Sequence, residues 1–150
     1  MIGFEYRPGP PGPLDVPQIM PSIDTIPLTD LIDTFETSVG MEPVGGRYGG
    51  LVPLYVPFES AMEHFHGSSP LTTGQRTPVL ACSCGDFGCW PLSARITSTG
   101  DLVVWDHFEQ PYRAPRDCAA FGPFLFDREQ YDNAVRGLDA AIAAAVPGSR

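Results

Sequence analysis

The chain has 150 residues, a length that fits one domain with a core of its own. Its 18 acidic residues outweigh 9 basic ones, all arginine, and a net charge of −9 argues against binding to nucleic acid phosphates. Charge of this sign suits solubility or a basic protein partner. With 17 Pro and 16 Gly, the sequence predicts short elements joined by many turns.

The first residues carry neither the basic nor the apolar region of a secretory signal peptide. No run approaches the roughly 20 apolar residues that cross a bilayer. We therefore expect a cytoplasmic protein without membrane contact. Cysteines stay reduced in the cytoplasm, so the four cysteines point to metal or thiol chemistry before a disulfide framework.

A proline cluster, Arg7-Pro8-Gly9-Pro10-Pro11-Gly12-Pro13, dominates the N-terminal part. Proline lacks a backbone donor, so this cluster cannot form a helix or a central strand. We expect residues 1–24 to be an extended, polyproline-like arm. Residues 25–150 then form the single domain.

A helix is predicted near residues 30–39, where apolar residues recur at helical spacing and Glu36 falls on the opposite, polar face. Thr29 or Asp30 can cap its start. The glycine-rich segment 45–50 precedes an apolar run and lacks a following Lys-Ser/Thr, unlike a phosphate-binding loop. We expect a turn into a short edge strand there.

A second, short helix is expected from Phe58 to Phe65, closed by Gly67. This helix decides whether the side chains of His64 and His66 can bind one metal ion together. On a strand such a pair points one way and can hold a metal, whereas on a helix the two side chains lie about 200° apart. We therefore expect no metal shared by the pair, and retain His64 alone as a candidate ligand.

A three-stranded meander is predicted next, with strands over residues 77–84, 89–97 and 102–108. If Thr97 pairs with Leu102, one face is apolar and carries the helices, and His107 belongs to it as a core histidine. The other face carries Arg95, Asp106 and the thiols. A slip of one residue or a bulge would exchange the faces.

The last element has the clearest local signals. Asp127 followed by Gln130 fits a capping box, and Phe126 with Tyr131 fits a hydrophobic staple. An apolar stripe follows and stops at Pro147-Gly148. The predicted fold is α+β: a small antiparallel β-meander packed against this C-terminal helix and one or two shorter helices.

Three cysteines fall within eight positions, beside glycines that allow a tight turn: Cys82, Cys84 and Cys89. If Cys84 and Cys89 flank a hairpin loop, all three thiols gather at one end of it. Thiolates held this way suit zinc, which takes four ligands in a tetrahedron. We predict a structural metal ion such as zinc, bound by these cysteines and by His64.

Other interpretations of the cysteines stay open. Cys118 is the other candidate for the fourth ligand. An iron–sulfur cluster also needs about four thiolates, although the Cys-x-Cys-x4-Cys spacing fits none of its common patterns. Cys84 and Cys89 could instead form a reactive pair, or all the thiols could be small buried apolar groups.

Several motifs together resemble a group of small, uncharacterised actinobacterial proteins. They are Cys82-x-Cys84-Gly85-x-x-Gly88-Cys89-Trp90-Pro91-Leu92, Val104-Trp105-x-x-Phe108-x-Gln110-Pro111-x-Arg113, Phe121-Gly122-Pro123-Phe124 and Phe126-Asp127-Arg128-x-x-Tyr131. The resemblance covers residues 25–140 and leaves out the proline cluster. It implies no activity and carries over no catalytic residue, and Cys118 stands outside its pattern.

Three classes of function follow. The leading prediction is a cytoplasmic protein with a structural metal at residues 82–89. The charge supports an alternative, an acidic interaction module of the immunity or inhibitor type with a basic protein partner. The polar face supports another, a small thiol-dependent biosynthetic enzyme that uses Arg95 and Asp106. The sequence leaves enzymatic activity open.

Overall fold

The structure is a computed structural model that describes residues 1–7, 17–42, 45, 48–53, 60–82, 90–111, 113 and 116–145. Over these residues it has two antiparallel sheets and three helices, which confirms the α+β fold. The strands are β1 (Ile2–Arg7), β2 (Gln18–Ile23), β3 (Ile26–Pro27), β4 (Tyr48–Gly49), β5 (Thr77–Cys82), β6 (Leu92–Thr99), β7 (Leu102–Glu109) and β8 (Phe124–Asp127). The helices are α1 (Leu28–Ser38), α2 (Ala61–His64) and α3 (Arg128–Ala145). None of these helices is long and apolar enough to cross a membrane.

The N-terminal segment is part of the core, which corrects the expectation of a separate arm over residues 1–24. Strands β1 and β2 pair from Ile2 opposite Ile23 to Arg7 opposite Gln18, and β3 completes a three-stranded sheet. Ile2 and Ile19 are buried there. The apolar side chains on either side of the prolines supply a sheet face that has to be covered. The proline cluster itself, at residues 8–16, lies outside the described residues.

The predicted meander is the middle of the second sheet, whose strand order is β4-β5-β6-β7-β8. At its hairpin Leu102 pairs with Thr99 rather than with Thr97. A shift of two residues preserves the alternation of side chains, so the predicted apolar face is retained. Its buried residues are Leu92, Ala94, Ile96, Val103 and Trp105.

His107 is not a core histidine, because β7 bulges beside it. Arg95 pairs with Asp106 and Ser93 pairs with Glu109, so β7 has one residue more than β6 between these pairs. His107 takes a φ of 50° and its side chain is 54% exposed. The extra residue turns His107 outward, as expected for a β-bulge.

A second bulge moves Cys82 to the face opposite the one predicted. The register of β5 shifts between Pro78 and Leu80, and Leu80 then pairs with Leu92. Cys82 lies two residues beyond Leu80, so by alternation it shares the face of Leu92 and not that of Arg95. The cysteine segment, which we define as residues 82–89, therefore begins on the buried side of the sheet.

The C-terminal helix starts as its local signals predict. The Asp127 carboxylate accepts a hydrogen bond from the Gln130 backbone N–H at 3.0 Å, and the rings of Phe126 and Tyr131 lie 5.7 Å apart. The Gln130 side chain does not return to the N-cap. Its oxygen accepts from the Ile2 N–H at 3.0 Å and its nitrogen donates to the Ile2 carbonyl at 2.6 Å, which ties α3 to β1.

Helix α1 begins earlier than predicted, at Leu28, with Pro27 as the N-cap residue and no side-chain cap from Thr29 or Asp30. Its buried residues are Leu28, Ile32 and Glu36. These residues are spaced by four, so they form one face of the helix. Glu36 thus points into the protein, not outward with the other acids as its polarity had suggested.

Candidate functional site

The predicted metal ligands are described only in part. Cys84 and Cys89 lie outside the described residues. Cys82 is the last residue of β5, opposite Tyr48 of β4. In the part of the chain that the structure describes, which holds Cys82 and Cys118 but neither of the other cysteines, no three His, Cys, Asp or Glu side chains are grouped to hold a metal.

His64 is buried and hydrogen-bonded through both ring nitrogens. Nε2 lies 2.8 Å from the Pro78 carbonyl oxygen and Nδ1 lies 2.8 Å from the Ser69 hydroxyl. Burial lowers the pKa of His64 to about 4, against a weaker opposing effect of the Pro78 hydrogen bond. The neutral ring therefore donates to Pro78 and accepts from Ser69.

His64 also sits at the far end of β5 from the cysteine segment. Its partner Pro78 stands four residues before Cys82 on that strand, which is roughly 13 Å at about 3.3 Å per residue. A metal bound by both His64 and Cys82 would need a ring nitrogen of His64 and the sulfur of Cys82 each within about 2.3 Å of the ion. The described geometry therefore favours another fourth ligand.

His66 has hydrogen-bond partners different from those of His64. Its Nδ1 is 2.8 Å from the Ser98 hydroxyl and its Nε2 is 2.7 Å from the Asp132 carboxylate. Ser98 belongs to β6 and Asp132 to α3, so the ring joins the turn after α2 to two other elements. Because His66, Ser98 and Asp132 come from separate parts of the chain, no sequence spacing predicts that they form one hydrogen-bonded group.

A buried polar cluster, which we call the Glu36 cluster, consists of Glu36, Tyr48, Gln110 and Arg116. The Tyr48 hydroxyl donates to Glu36 Oε2 at 2.5 Å. Arg116 Nη2 lies 2.8 Å from Glu36 Oε1 as an ion pair, and Arg116 Nε donates to Gln110 Oε1 at 2.5 Å. The Glu36 and Arg116 side chains are only 1% and 10% exposed. Burying charged side chains this deeply is costly unless they are paired and hydrogen-bonded in this way.

Burial, aided by the charge of Glu36, holds Tyr48 and the nearby Cys118 in their neutral forms. Burial, followed by the hydrogen bond to Glu36, raises the pKa of Tyr48 far above its ordinary value. Burial likewise raises the pKa of Cys118 to about 11, and the charge of Glu36 adds to this while Arg116 opposes it. Tyr48 is therefore a permanent donor near neutral pH, and Cys118 is a protonated thiol when no metal is bound.

The residues at either end of the cysteine segment, Cys82 and Trp90, both contact Tyr48 of this cluster. Cys82 is the cross-strand partner of Tyr48, and the ring of Trp90, the residue after Cys89, lies edge-on to the Tyr48 ring at 6.4 Å. The Arg113 guanidinium stacks over Trp90 at 3.7 Å. Cys118 is buried in the same core as Tyr48, Cys82 and Trp90.

An open cleft of about 390 Å³ adjoins the cluster. Its lining residues are Arg76, Phe108, Glu109, Gln110, Pro111, Arg116, Asp117, Cys118 and Ala119. Gln110 Nε2 and Arg116 Nη1 are buried, and neither has a hydrogen-bond partner within the described part of the chain.

Sequence reasoning missed the Glu36 cluster. Glu36 was assigned to the polar face, and Gln110 and Arg116 carried no metal or catalytic pattern. One signal could have identified Glu36, namely its spacing of four and eight residues from Ile32 and Leu28.

Comparison with protein-family models, with curated proteins and with solved structures finds no match to this chain. The resemblance to the actinobacterial group stays a prediction. Function is therefore inferred from the residues and their geometry.

Proposed function

We propose that the protein binds a structural zinc ion, with Cys82, Cys84, Cys89 and Cys118 as its ligands. One observation carries the proposal: Cys82 pairs with Tyr48, the Trp90 ring packs edge-on to Tyr48, and Cys118 is buried in the same core. The chain enters the cysteine segment at Cys82 and leaves it at Trp90. A fourth thiol, distant in the sequence, is thus buried in the core that also holds Cys82 and Trp90.

Cys118 replaces His64 as the fourth ligand in this proposal. Both ring nitrogens of His64 already have partners, and the ring is held beside Pro78. Cys118 carries a buried, reduced thiol. Zinc would bind it as a thiolate, and four thiolates give the site a net negative charge. The guanidinium groups of Arg113 and Arg116, both over Trp90, would offset that charge.

Metal analysis under reducing conditions tests the proposal. The purified protein should contain one zinc per chain by mass spectrometry of the elements. After replacement by Co²⁺, the thiolate-to-cobalt absorption should report four thiolates. Cys118→Ser should lose one thiolate from that absorption and weaken binding at least tenfold, whereas His64→Gln should leave the spectrum unchanged.

Two outcomes would overturn the proposal. One is a protein that neither contains zinc nor takes up Co²⁺ when its thiols are reduced. The other is full metal content in the double variant Cys84→Ser/Cys89→Ser. A spectrum altered by His64→Gln and not by Cys118→Ser would restore His64 as the fourth ligand.

The enzyme hypothesis loses support from the residues that it would use. Arg95 donates to both oxygens of Asp106 at 2.9 Å, so the two side chains bind each other. The hydrogen bond from Arg95 is the main reason that the pKa of Asp106 is lowered. This is an ordinary cross-strand ion pair on a partly exposed face. The proposal of a basic protein partner still rests on the net charge alone.

A further inference from the structure

We infer that Ser98, His66 and Asp132 form a nucleophilic site that hydrolyses small carboxylic esters. Ser98 Oγ lies 2.8 Å from His66 Nδ1, and His66 Nε2 lies 2.7 Å from Asp132 Oδ1. Serine hydrolysis requires a nucleophile, a base within hydrogen-bond reach of it and a third group that orients the base. The site uses none of the cysteines, so it is independent of the proposed zinc ion.

The partners of His66 fix the position of its proton. An ionised carboxylate only accepts hydrogen bonds, so Asp132 requires the proton of the neutral ring to be on Nε2. Nδ1 is then the unprotonated nitrogen, and it accepts from the Ser98 hydroxyl. The hydroxyl thus donates to the base, as an attacking serine must. In the best-known triads Nε2 faces the serine, but either nitrogen can be the base because the partner of the other one selects the tautomer.

The base and its carboxylate are held by neighbouring side chains as well as by each other. The His66 ring packs edge-on against the Tyr131 ring, with the ring centroids 5.5 Å apart. Asp132 belongs to the start of α3, and its Oδ2 lies 3.7 Å from Arg128 Nε. The orientation of the base is therefore set before a substrate arrives, which lowers the entropic part of the barrier.

All three side chains can be reached from solvent. His66 and Asp132 are 18% and 20% exposed, and Ser98 is partly exposed near the end of β6. A surface position gives little binding energy for a large substrate, so a short acyl chain suits it. We expect esters rather than amides, because an alkoxide leaves more readily than an amide nitrogen.

The reaction proceeds through an acyl-enzyme. Ser98 Oγ forms a bond to the ester carbonyl carbon while its proton passes to His66 Nδ1, and the bond to the alcohol oxygen then breaks as the alcohol takes up that proton. Water attacks the acyl-serine and gives a proton to Nδ1. The carboxylic acid leaves as Ser98 Oγ recovers this proton. Asp132 stays ionised throughout and stabilises the imidazolium.

Covalent labelling of the unaltered chain tests the nucleophile. An alkyl fluorophosphonate should transfer its phosphonyl group to Ser98 with loss of fluoride, and peptide mass spectrometry should find the adduct on that residue. Hydrolysis of p-nitrophenyl acetate should fall at least about tenfold in Ser98→Ala. Thr99→Ala is the matched control, since Thr99 is the next residue of β6 and its exposed hydroxyl belongs to the other face of the strand. It should keep the parent rate.

Two histidine variants separate the site from background reaction. An exposed imidazole hydrolyses nitrophenyl esters by itself, and His107 is 54% exposed. His107→Gln should nevertheless change the rate by less than about twofold, whereas His66→Gln should lower it at least about tenfold.

Asp132 is a positioning residue, and its variant has a readout besides the rate. Asp132→Asn should slow hydrolysis and move the pH of half-maximal rate downward, because the imidazolium loses its counter-charge and the neutral base persists at lower pH. A role that was only structural would change the rate without this shift.

The inference would be overturned by a fluorophosphonate adduct that is absent from Ser98, or by a Ser98→Ala protein that hydrolyses p-nitrophenyl acetate at the parent rate. A rate that depends on His107 and not on His66 would do the same, as would an unshifted pH profile in Asp132→Asn. Labelling uses the parent protein, so it decides the question even if a variant fails to fold. Zinc is measured by elemental analysis, so the zinc proposal and this inference can fail independently.

Discussion

Glu36 of α1 and Arg116, beyond β7, meet in the interior, where Oε1 and Nη2 are 2.8 Å apart. Neither atom makes a hydrogen bond within the described part of the chain, so the two groups attract each other as charges. The second oxygen of Glu36, Oε2, accepts a hydrogen bond from the Tyr48 hydroxyl. The pair joins a helix that follows the first sheet to the connection between two strands of the second sheet, β7 and β8.

Removal of the Glu36 carboxylate should be strongly destabilising. Glu36→Ala leaves the buried Arg116 charge and the Tyr48 hydroxyl without their partner, and we expect a loss of about 3–5 kcal/mol in the free energy of unfolding. Urea denaturation followed by circular dichroism measures it. Asp30→Asn, an exposed acid on the same helix, is the control and should change stability by less than about 0.5 kcal/mol.

The double variant Glu36→Leu/Arg116→Met should recover part of this loss, since it removes both charges together. A Glu36→Ala protein as stable as the Asp30→Asn control would mean that the pair contributes nothing. Such a result would remove the structural reason for the fixed position of Arg116.

Acid should destabilise the protein through His64. The pKa of the folded state, about 4, is below the ordinary 6.5, so the unfolded chain takes up a proton first as the pH falls. Stability from this group is complete above pH 6.5 and is lost between pH 6.5 and 4, by about 3 kcal/mol in total. Urea denaturation between pH 7 and 4.5 should show this slope.

His64→Gln is the matched variant for the acid experiment. Glutamine does not titrate, so the variant should be less stable at pH 7 but lose less stability as the pH falls. Parallel pH profiles for the two proteins would show that other groups cause the acid sensitivity.

Two glycines should respond to alanine in opposite directions. Gly67 has a φ of 79°, and a Cβ there would lie 3.0 Å from the Ile96 carbonyl oxygen, so Gly67→Ala should cost more than about 1 kcal/mol. Gly137 lies on the exposed side of α3 with no atom within 4 Å of an added Cβ. Gly137→Ala should stabilise the protein by about 0.5–1 kcal/mol. Thermal unfolding of both variants measures the difference, and equal effects would contradict the assigned backbone conformation.

The Tyr131 hydroxyl is a buried junction between α3, β7 and the turn after α2. It accepts from Trp105 Nε1 at 3.0 Å and donates to the Phe65 carbonyl. Tyr131→Phe leaves both partners buried and unsatisfied, so we expect a loss of about 1–3 kcal/mol. Tyr6→Phe, at a partly exposed position of β1, is the control and should have little effect. A shift of the Trp105 indole N–H signal should accompany the loss, and its absence would contradict the hydrogen bond.

The sequence alone determined the elements whose signals are local. The capping residue Asp127 and the staple of Phe126 on Tyr131 each depend on neighbours within about one helical turn. The apolar face of the meander was also predicted, because a register error of two residues leaves the alternation of side chains intact.

Only the tertiary structure decided the features that depend on contacts between distant segments. The bulge at His107 reversed one side chain, and the pairing of β1 with β2 brought the N-terminal segment into the core. The Glu36 cluster arose because α1, β4 and the chain after β7 converge. A polar residue is expected at the surface from its type alone. It can be buried only where the fold supplies partners from elsewhere in the chain, and those partners have no fixed spacing in the sequence.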